Sequence, residues 1–307
     1  MLLKKLIYIA VLLPARIPKA LRVIFSITNN YFVRLKNKGN GAAWAYLRYA
    51  CTNLVVSFCN AHFNTKRVAC PCCGWRGYDF LPIDGGIFWV PRMVCPACLS
   101  YDRHRAFALY VNKHDRRLLE TNGITLHVAP ETYVALLARK NIAHQYMATD
   151  LFADRLQEGN GVPFQSDIQH LPLREGSVDT HICFHVLEHI KADHVAIAEL
   201  YRTLKPGGVA YIMVPINLDF TKTQFFGYPN PDYYDHYWAP GRDYHTHLEA
   251  FDRCVAVAPQ DFLSPRLLRD PGPDAARPLR ACAADPLQFA GLGVGETLLR
   301  LQVLDLT

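Results

Sequence analysis

The most regular pattern of apolar and polar residues lies just after the midpoint of the chain, between residues 178 and 215. Val178–His185 is a short, mainly apolar run with β-branched residues, which predicts a strand. Apolar residues at helical spacing across Glu188–Leu204 predict a helix, and the turn residues Pro206–Gly208 predict its end. Val209–Pro215 contains no charged residue and predicts a second, buried strand.

A strand, a helix and a further strand in this order form a βαβ unit. Such a unit predicts a mainly parallel sheet that is covered on both faces. Ligands of these sheets bind at the carboxyl ends of the strands. In this unit those ends are His185–His189 and Val214–Asn217.

Shorter apolar runs predict the other elements of the same domain. They are a first strand at Thr125–Ala129, a helix at Tyr133–Lys140, a second strand at Tyr146–Thr149, a connecting segment at Val162–Phe164, a penultimate strand at Ala256–Phe262 and a last strand at Thr297–Leu304. Ser264–Pro286 is rich in Pro, Ala and Arg, which predicts a loop.

Charge is distributed unevenly along the 307 residues. The first 78 residues carry 12 Lys and Arg residues and no acidic residue, whereas the remainder has 21 basic and 27 acidic residues. The formal net charge of +6 therefore hides a strongly basic first quarter. A basic segment of this kind favours an anionic partner, either a membrane surface or a nucleic acid.

The basic segment begins with the apolar run Leu6–Leu13, which Pro14 ends. A membrane-spanning helix takes roughly 20 apolar residues, so this run is too short to cross a bilayer. Residues 1–38 are predicted to be amphipathic and to lie on an anionic membrane or pack on the domain, with a poorly ordered extension as the alternative. Nucleic acid is the less favoured partner, because proteins that bind it in this way interleave aromatic and basic residues. Gly39–Gly41 is typical of a turn, and Trp44–His62 predicts a helix.

Four cysteines form two CxxC pairs, Cys70 with Cys73 and Cys95 with Cys98, separated by 21 residues. The spacing predicts tetrahedral zinc, since each pair chelates from one tight turn and thiolates are soft ligands. Between the pairs, residues 78–81 and 87–90 flank an Asp-Gly-Gly turn and predict a hairpin, so a structural zinc ribbon is expected. Cys72 is an extra thiol that could compete for the metal.

The chain has ten cysteines, of which five lie between positions 70 and 98 and five are scattered in apolar surroundings. This distribution favours a reducing compartment over a disulfide framework. The expected localisation is therefore cytoplasmic, with or without peripheral membrane contact.

Several motifs together resemble a known family. The strand ending in HVLEHI, the helix with AIAELYRTLKPGG and the strand ending in VPI are similar to the second half of class I S-adenosylmethionine-dependent methyltransferases. The preceding CPxCG…CPxCxSxxRHR arrangement resembles a subgroup of these proteins that bears a zinc ribbon. The resemblance implies an α/β fold with a Rossmann-like, doubly wound sheet, S-adenosylmethionine as cofactor, and an acceptor that the sequence does not identify.

The resemblance also implies which residues contact the cofactor. The segment LHVAPET covers the end of the first strand and the turn after it. It lacks the glycines that the larger family has in this turn, and the zinc-ribbon subgroup lacks them as well. The implied cofactor contacts are His127, Ala129, Pro130, Glu131, Asp150, Leu151, Asp167, Ile168 and His185.

Three of these residues have alternative interpretations. Asp150 stands where a Rossmann-like sheet binds ribose hydroxyls, or it is the N-cap of the next helix. Asp167 would accept a hydrogen bond from the adenine amine while Ile168 stacks on the ring, or Asp167 is a turn residue. His185 is a base, a cofactor contact or a packing histidine. HVLEH lacks the order His-Glu-x-x-His, so no metal is predicted in that segment.

Aromatic residues are concentrated in the loop 217–245, which is predicted to cap a pocket. Asp235 and His236 open a pattern of the zinc-ribbon subgroup and, with His185, are the candidate catalytic residues. Trp238 stands where the subgroup tends to have Arg, and an indole cannot form a bidentate salt bridge. Nearer the cysteines, the segment Arg103–Arg105 could hold an anion or begin a solvated helix.

The expected domains are a helical extension over 1–66, a zinc ribbon over 67–105 and a methyltransferase domain over 106–307. Two functions follow from this organisation. One is a methyltransferase for an unidentified acceptor. The other is a non-catalytic module of the same fold that docks on an anionic partner or membrane surface, which the glycine-free turn and Trp238 favour.

Overall fold

The computed structural model describes residues 19–86, 88–120, 122–141, 145–155, 162–217, 219–251, 253–257 and 294–302. The predictions for residues 1–18, for the loop at Ser264–Pro286 and for strand residues beyond Val257 or Gln302 lie outside this part.

The chain divides into two compact units. Residues 1–66 with 77–96 form one, called here the helix–hairpin unit, and residues 67–76 with 97–307 form the other, called the sheet unit. The predicted domain bounds at 66 and 105 stay predictions.

The helix–hairpin unit contains one long helix, α1 (Lys19–His62). Gly39 interrupts it with a φ of 84° and a ψ of −179°, so the predicted turn is present as a kink between two helical segments. Glycine suits this position because L-residues rarely adopt positive φ. Within the described residues, no helix is both long and apolar enough to cross a membrane.

The predicted hairpin is confirmed. After the two short strands β1 (Val68–Ala69) and β2 (Arg76–Gly77), strands β3 (Leu81–Asp84) and β4 (Trp89–Val94) pair antiparallel. Side chains of α1 hold the hairpin: Arg34 donates to Asp84 Oδ1 at 2.7 Å and to the Gly86 carbonyl at 2.8 Å. Asn60 of the same helix accepts from the backbone N–H of Tyr78 at 2.8 Å.

The sheet unit alternates strands and helices. Its elements are α2 (Asp102–Lys113), α3 (Arg117–Glu120), β5 (Ile124–Val128), α4 (Thr132–Asn141), β6 (Gln145–Asp150), β7 (Val162–Gln165), β8 (Val178–Phe184), α5 (Asp193–Thr203), β9 (Leu204–Asn217), β10 (Gln224–Asn230), β11 (His236–Ala239), β12 (Arg253–Val257) and β13 (Val294–Gln302). Single 3-10 turns lie at Ala153–Arg155, Ile168–His170, Leu187–His189, Pro231–Tyr233 and Tyr244–Leu248.

Seven strands form one sheet in the order β12-β13-β9-β8-β5-β6-β7. The five strands from β9 to β7 are parallel, and β13 and β12 are added antiparallel at the β9 edge. From β5 the chain winds outward through β6 and β7, and then returns to form β8 and β9 on the other side. The predicted fold class, a Rossmann-like and doubly wound sheet, is confirmed, and its topological switch point lies between β5 and β8.

Both faces of the sheet are covered, as the continuous apolar strands predict. Successive residues of a strand point to opposite faces. Ile182 of β8 and Tyr211 of β9 pack with residues of α2 and α4. Their neighbours Cys183 and Ile212 pack in a second cluster with residues of α5.

Three predicted elements need correction. The strand expected over Val209–Pro215 extends over Leu204–Asn217 and includes the expected turn residues Pro206–Gly208. The helix expected from Glu188 begins at Asp193, because a 3-10 turn at Leu187–His189 comes first and Ile190 is extended. The segment at Val162–Phe164 is not merely a connection but belongs to β7, the edge strand next to β6. Pro163 suits an edge position, where one side of the strand needs no hydrogen-bond donor.

Candidate active site

Two neighbouring strands end in residues with an unusual backbone conformation. Ala129 follows β5 with a φ of 48°, and His185 follows β8 with a φ of 54°. Positive φ costs an L-residue roughly 1–2 kcal/mol, and such residues cluster at functional sites. Both lie at the carboxyl ends of the strands that flank the switch point, where doubly wound sheets bind ligands. These strand ends are the candidate active site.

The glycine-free turn after β5 is held by the neighbouring strand. The backbone N–H of Ala129 donates to the Thr149 carbonyl at 2.7 Å, and Pro130 and Glu131 then lead into α4. The His127 side chain lies in the core and not at the turn, with Nδ1 2.6 Å from the Tyr146 hydroxyl. Burial lowers the pKa of His127 to about 4. The side chain is fully buried between the layers that cover β5, and the cofactor contact of His127 stays a prediction.

Glu131 forms a partly buried ion-pair cluster with the segment after the second cysteine pair. Arg103 Nη2 lies 2.9 Å from Glu131 Oε1, and His104 Nε2 lies 2.9 Å from Oε2. Burial alone would raise the pKa of Glu131, but His104 and Arg103 outweigh it and lower the pKa to about 2. The anion that the basic segment could hold is thus a carboxylate of the chain itself. Arg105 instead donates to the Ser100 carbonyl at 2.9 Å.

Asp150 ends β6 with its side chain almost fully buried. Its Oδ1 accepts from the backbone N–H of Phe152 at 2.9 Å, which is the capping contact of the alternative interpretation. A carboxylate has two oxygens and accepts several hydrogen bonds, so the cap leaves acceptor capacity for a ligand. Leu151 and Phe152 beside it are exposed apolar side chains.

Asp167 and Ile168 have local partners in this conformation. Asp167 caps the 3-10 turn that follows it by accepting from Gln169 N at 2.9 Å. Ile168 is buried in the core cluster that contains α5. These contacts agree with the interpretation of Asp167 as a turn residue. The Ile168 side chain packs inward because the 3-10 turn directs it to the core.

His185 lies next to an acidic side chain from the turn after β8. Its Nδ1 lies 3.2 Å from Oε1 of Glu188, whose side chain is fully buried. The ring of His189 meets that of His236 at a centroid distance of 4.5 Å. Burial lowers the pKa of His236 to about 4. Two of the three candidate catalytic residues, His185 and His236, therefore belong to one cluster.

The third candidate, Asp235, is an exposed residue between β10 and β11 of the aromatic loop. Tyr234 and Asp235 are consecutive residues with φ of 57° and 61°, and His236 begins β11 directly after them. The loop itself forms the antiparallel pair β10–β11. Trp238 attaches this pair to the turn after β8, because its Nε1 donates to the Ile190 carbonyl at 2.9 Å.

Gly241, Asp243 and Tyr244 complete the subgroup pattern that Asp235 and His236 open, and they have structural roles. A Cβ atom on Gly241 would lie 2.6 Å from the carbonyl carbon of Lys222, so only glycine fits. Asp243 accepts from the backbone N–H of Thr223 at 2.6 Å and from its hydroxyl at 2.8 Å. Buried Tyr244 donates to Asp193 at 3.2 Å, at the start of α5.

Three of the four predicted zinc ligands, Cys70, Cys73 and Cys98, belong to the sheet unit, and their Sγ atoms lie within 4.8 Å of one another. The fourth, Cys95, belongs to the helix–hairpin unit. Tetrahedral zinc with bonds of about 2.3 Å needs sulfur atoms about 3.8 Å apart, and the distance between Cys70 and Cys98 is 3.8 Å. Cys72 does not belong to this group and packs against the core of the sheet unit.

Residues 129–212 match the model of a protein family described as a methyltransferase domain. This segment is methyltransferase-like. It begins at Ala129 and includes Asp150, Asp167 and His185, but it ends before His236. No curated protein is significantly similar to the chain.

Solved structures resemble the methyltransferase-like segment and its surroundings only distantly. The cyclase SpnF is 14% identical with a TM-score of 0.44, over 69% of this chain and 86% of that one. A SAM-dependent methyltransferase from Archaeoglobus fulgidus is 11% identical with a TM-score of 0.42, over 64% and 92%. One from Mesorhizobium loti is 11% identical with a TM-score of 0.40, over 61% and 94%. These values are too low to assign a function.

Sequence reasoning missed two features of the site. It did not pair Glu131 with Arg103 and His104, although basic residues in the first turn of α2 and an acidic residue directly before α4 could have suggested it. It also did not bring His236 to Glu188, because 47 positions separate them and no local pattern connects them.

Proposed function

We propose that the sheet unit is an S-adenosylmethionine-dependent methyltransferase. The observation that carries this proposal is the pair of residues with positive φ, Ala129 and His185, at the switch point and inside the segment that matches a methyltransferase domain. The turn after β5 lacks glycine but adopts the type of backbone conformation that glycine supplies most readily. The absence of glycine is therefore no argument against a cofactor turn.

The residues at the switch point fit this cofactor. When bound, S-adenosylmethionine supplies an activated methyl group. Asp150 would accept hydrogen bonds from the ribose hydroxyls, and exposed Leu151 and Phe152 would offer apolar surface to the adenine ring. His185 would hold or remove a proton of the acceptor, since Glu188 Oε1 lies 3.2 Å from Nδ1 and would orient the imidazole.

Thermal unfolding of the full, zinc-loaded chain with S-adenosylhomocysteine tests the proposal. At a ligand concentration 100 times its Kd, the folded state gains about 2.7 kcal/mol, which raises the melting temperature measurably. Asp150→Asn should abolish most of this shift, because the amide keeps the oxygen that caps Phe152 but loses the charge. Asp154→Asn, an exposed change in the same segment, should leave the shift intact.

A folded, zinc-loaded protein that shows no shift at millimolar ligand would overturn the proposal. That result would favour the non-catalytic binding module. If the shift in melting temperature is unchanged in Asp150→Asn, the protein binds the cofactor, but the proposed contact between Asp150 and the ribose is refuted.

We also propose that the helix–hairpin unit contacts an anionic membrane surface. Large apolar side chains along α1 are exposed: Val23, Ile24, Phe25, Phe32, Val33, Trp44, Leu54, Val55 and Phe58. The same helix contains six Lys and Arg residues and no acidic residue. Exposed apolar surface combined with positive charge is what interfacial helices use to bind anionic lipid.

Sedimentation with vesicles tests this second proposal. Binding to vesicles that contain phosphatidylserine, and not to phosphatidylcholine alone, is expected, with weakening as the salt concentration rises. Ile24→Asp should weaken binding about tenfold or more, since burial of one such side chain is worth about 1.5–3 kcal/mol. Tyr228→Asp, an exposed change in β10, is the matched control. No sedimentation with anionic vesicles would refute the proposal.

A further inference from the structure

Three side chains that the sequence separates converge at the carboxyl end of β8. Glu188 and His189 belong to the 3-10 turn directly after that strand, and His236 opens β11. Each offers one ligand atom, a carboxylate oxygen or an imidazole nitrogen, and these atoms all lie within 4.8 Å of one another. The two imidazole rings are perpendicular, with an interplanar angle of 89°.

The carboxylate of Glu188 supplies a second, independent observation. Its side chain is fully buried, and His185 Nδ1 lies 3.2 Å from Oε1. Within the described part of the chain, Oε2 is buried without a hydrogen-bond partner. A buried carboxylate oxygen without a partner is costly, and a cation next to it would offset that cost.

We infer that Glu188, His189 and His236 form a binding site for a divalent first-row transition-metal cation. Two imidazoles and one carboxylate are nitrogen and oxygen donors of the kind that bind such cations, and three protein ligands leave coordination positions open. Metal–ligand bonds of about 2.0–2.2 Å require donors within about 4 Å of one another, so small side-chain rotations would close the site. The four-cysteine cluster, with its softer thiolates, would retain zinc.

The place of this site in the fold gives it a use. It lies beside His185 at the switch point, where the acceptor would approach a cofactor. A cation with open positions there would bind an oxygen atom of the acceptor and polarise it. The cation site itself depends only on the three side chains, so it can exist whether or not the methyltransferase proposal holds.

Calorimetric titration of the full, zinc-loaded chain with Co²⁺ tests the inference. One equivalent of Co²⁺ should bind, with a visible spectrum that lacks the intense near-ultraviolet band of cobalt–thiolate bonds. His236→Gln and His189→Gln should each weaken binding at least roughly tenfold. His245→Gln, an exposed histidine outside the cluster, should bind Co²⁺ as the unaltered chain does.

Three outcomes would overturn the inference. They are no cobalt binding at millimolar concentration, a cobalt–thiolate spectrum, or unchanged affinity in His236→Gln. Glu188→Gln separates loss of the ligand from loss of folding. If this variant has an unchanged melting temperature, it should still lose cobalt binding. A protein that binds Co²⁺ but shows no stabilisation by S-adenosylhomocysteine would refute the proposed function and leave the cation site in place.

Discussion

Replacement of Glu131 by Gln should destabilise the sheet unit by an amount that the ion-pair cluster sets. Arg103 and His104, each 2.9 Å away, hold the pKa of Glu131 at about 2, against an ordinary value of 4.5. That difference corresponds to ~3 kcal/mol at most, since one pKa unit is about 1.4 kcal/mol. Because the carboxylate retains some exposure to solvent, we expect a loss of about 2 kcal/mol in Glu131→Gln.

The pH dependence of this contribution has a defined sign. The folded pKa lies below the unfolded one, so the stabilisation is fully present above about pH 4.5 and is lost as the pH falls towards 2. Urea unfolding followed by circular dichroism at several pH values measures it. The difference between the unaltered chain and Glu131→Gln should be largest at pH 7 and should shrink in acid.

The matched control for this experiment is Glu120→Gln. Glu120 pairs with Arg116 at 2.7 Å, but both side chains are 61% exposed, so the expected change is below about 1 kcal/mol. Equal urea midpoints for Glu131→Gln and the unaltered chain at pH 7 would refute the reasoning. A difference that grows in acid would refute it as well.

Three further substitutions test other parts of the structure. Replacing Cys73 and Cys95 together by Ser should remove zinc from the purified protein, and metal analysis that still finds one equivalent would contradict the ribbon. Gly241→Ala should lower the free energy of unfolding, measured with urea, by about 1–3 kcal/mol, because its Cβ would meet the Lys222 backbone at 2.6 Å. Gly41→Ala, which adds a Cβ in open space on α1, should not lower it. Ala129→Val should lower the free energy of unfolding by about 1–3 kcal/mol, because a β-branched residue is strained at positive φ, whereas Ala129→Gly should be tolerated. Equal stability of the two variants would argue against the strained turn.

The fold could be predicted largely from local patterns. The central strands β5, β8 and β9 are continuous apolar runs because both faces of the sheet are covered, and their positions were predicted to within a few residues. The start of α5 was missed, since Leu187–His189 carries the residues of a helix but forms a 3-10 turn. The short edge strand β7 has too few residues for its period to be recognised.

The site was less predictable than the fold, because it depends on contacts between distant segments. The positive φ of Ala129 has no signature in a glycine-free turn. The packing of helices on the sheet decides whether His127 and Ile168 face the core or a ligand. The pattern of apolar and polar residues in a single segment carries no information about that packing. The cysteine pairs were the exception, since each ligand pair lies in one short segment.

The position of β13 has a consequence for how the protein is made. This strand inserts between β9 and β12 and pairs with β9 from Val294 to Gln302. A ribosome therefore completes β9 long before the strand that covers its edge. In the meantime the nascent chain presents the unpaired edge of a long, apolar strand, which is a template for pairing with other chains. Chains that stop before Val294 should consequently aggregate, even though every residue of the candidate active site has already been synthesised.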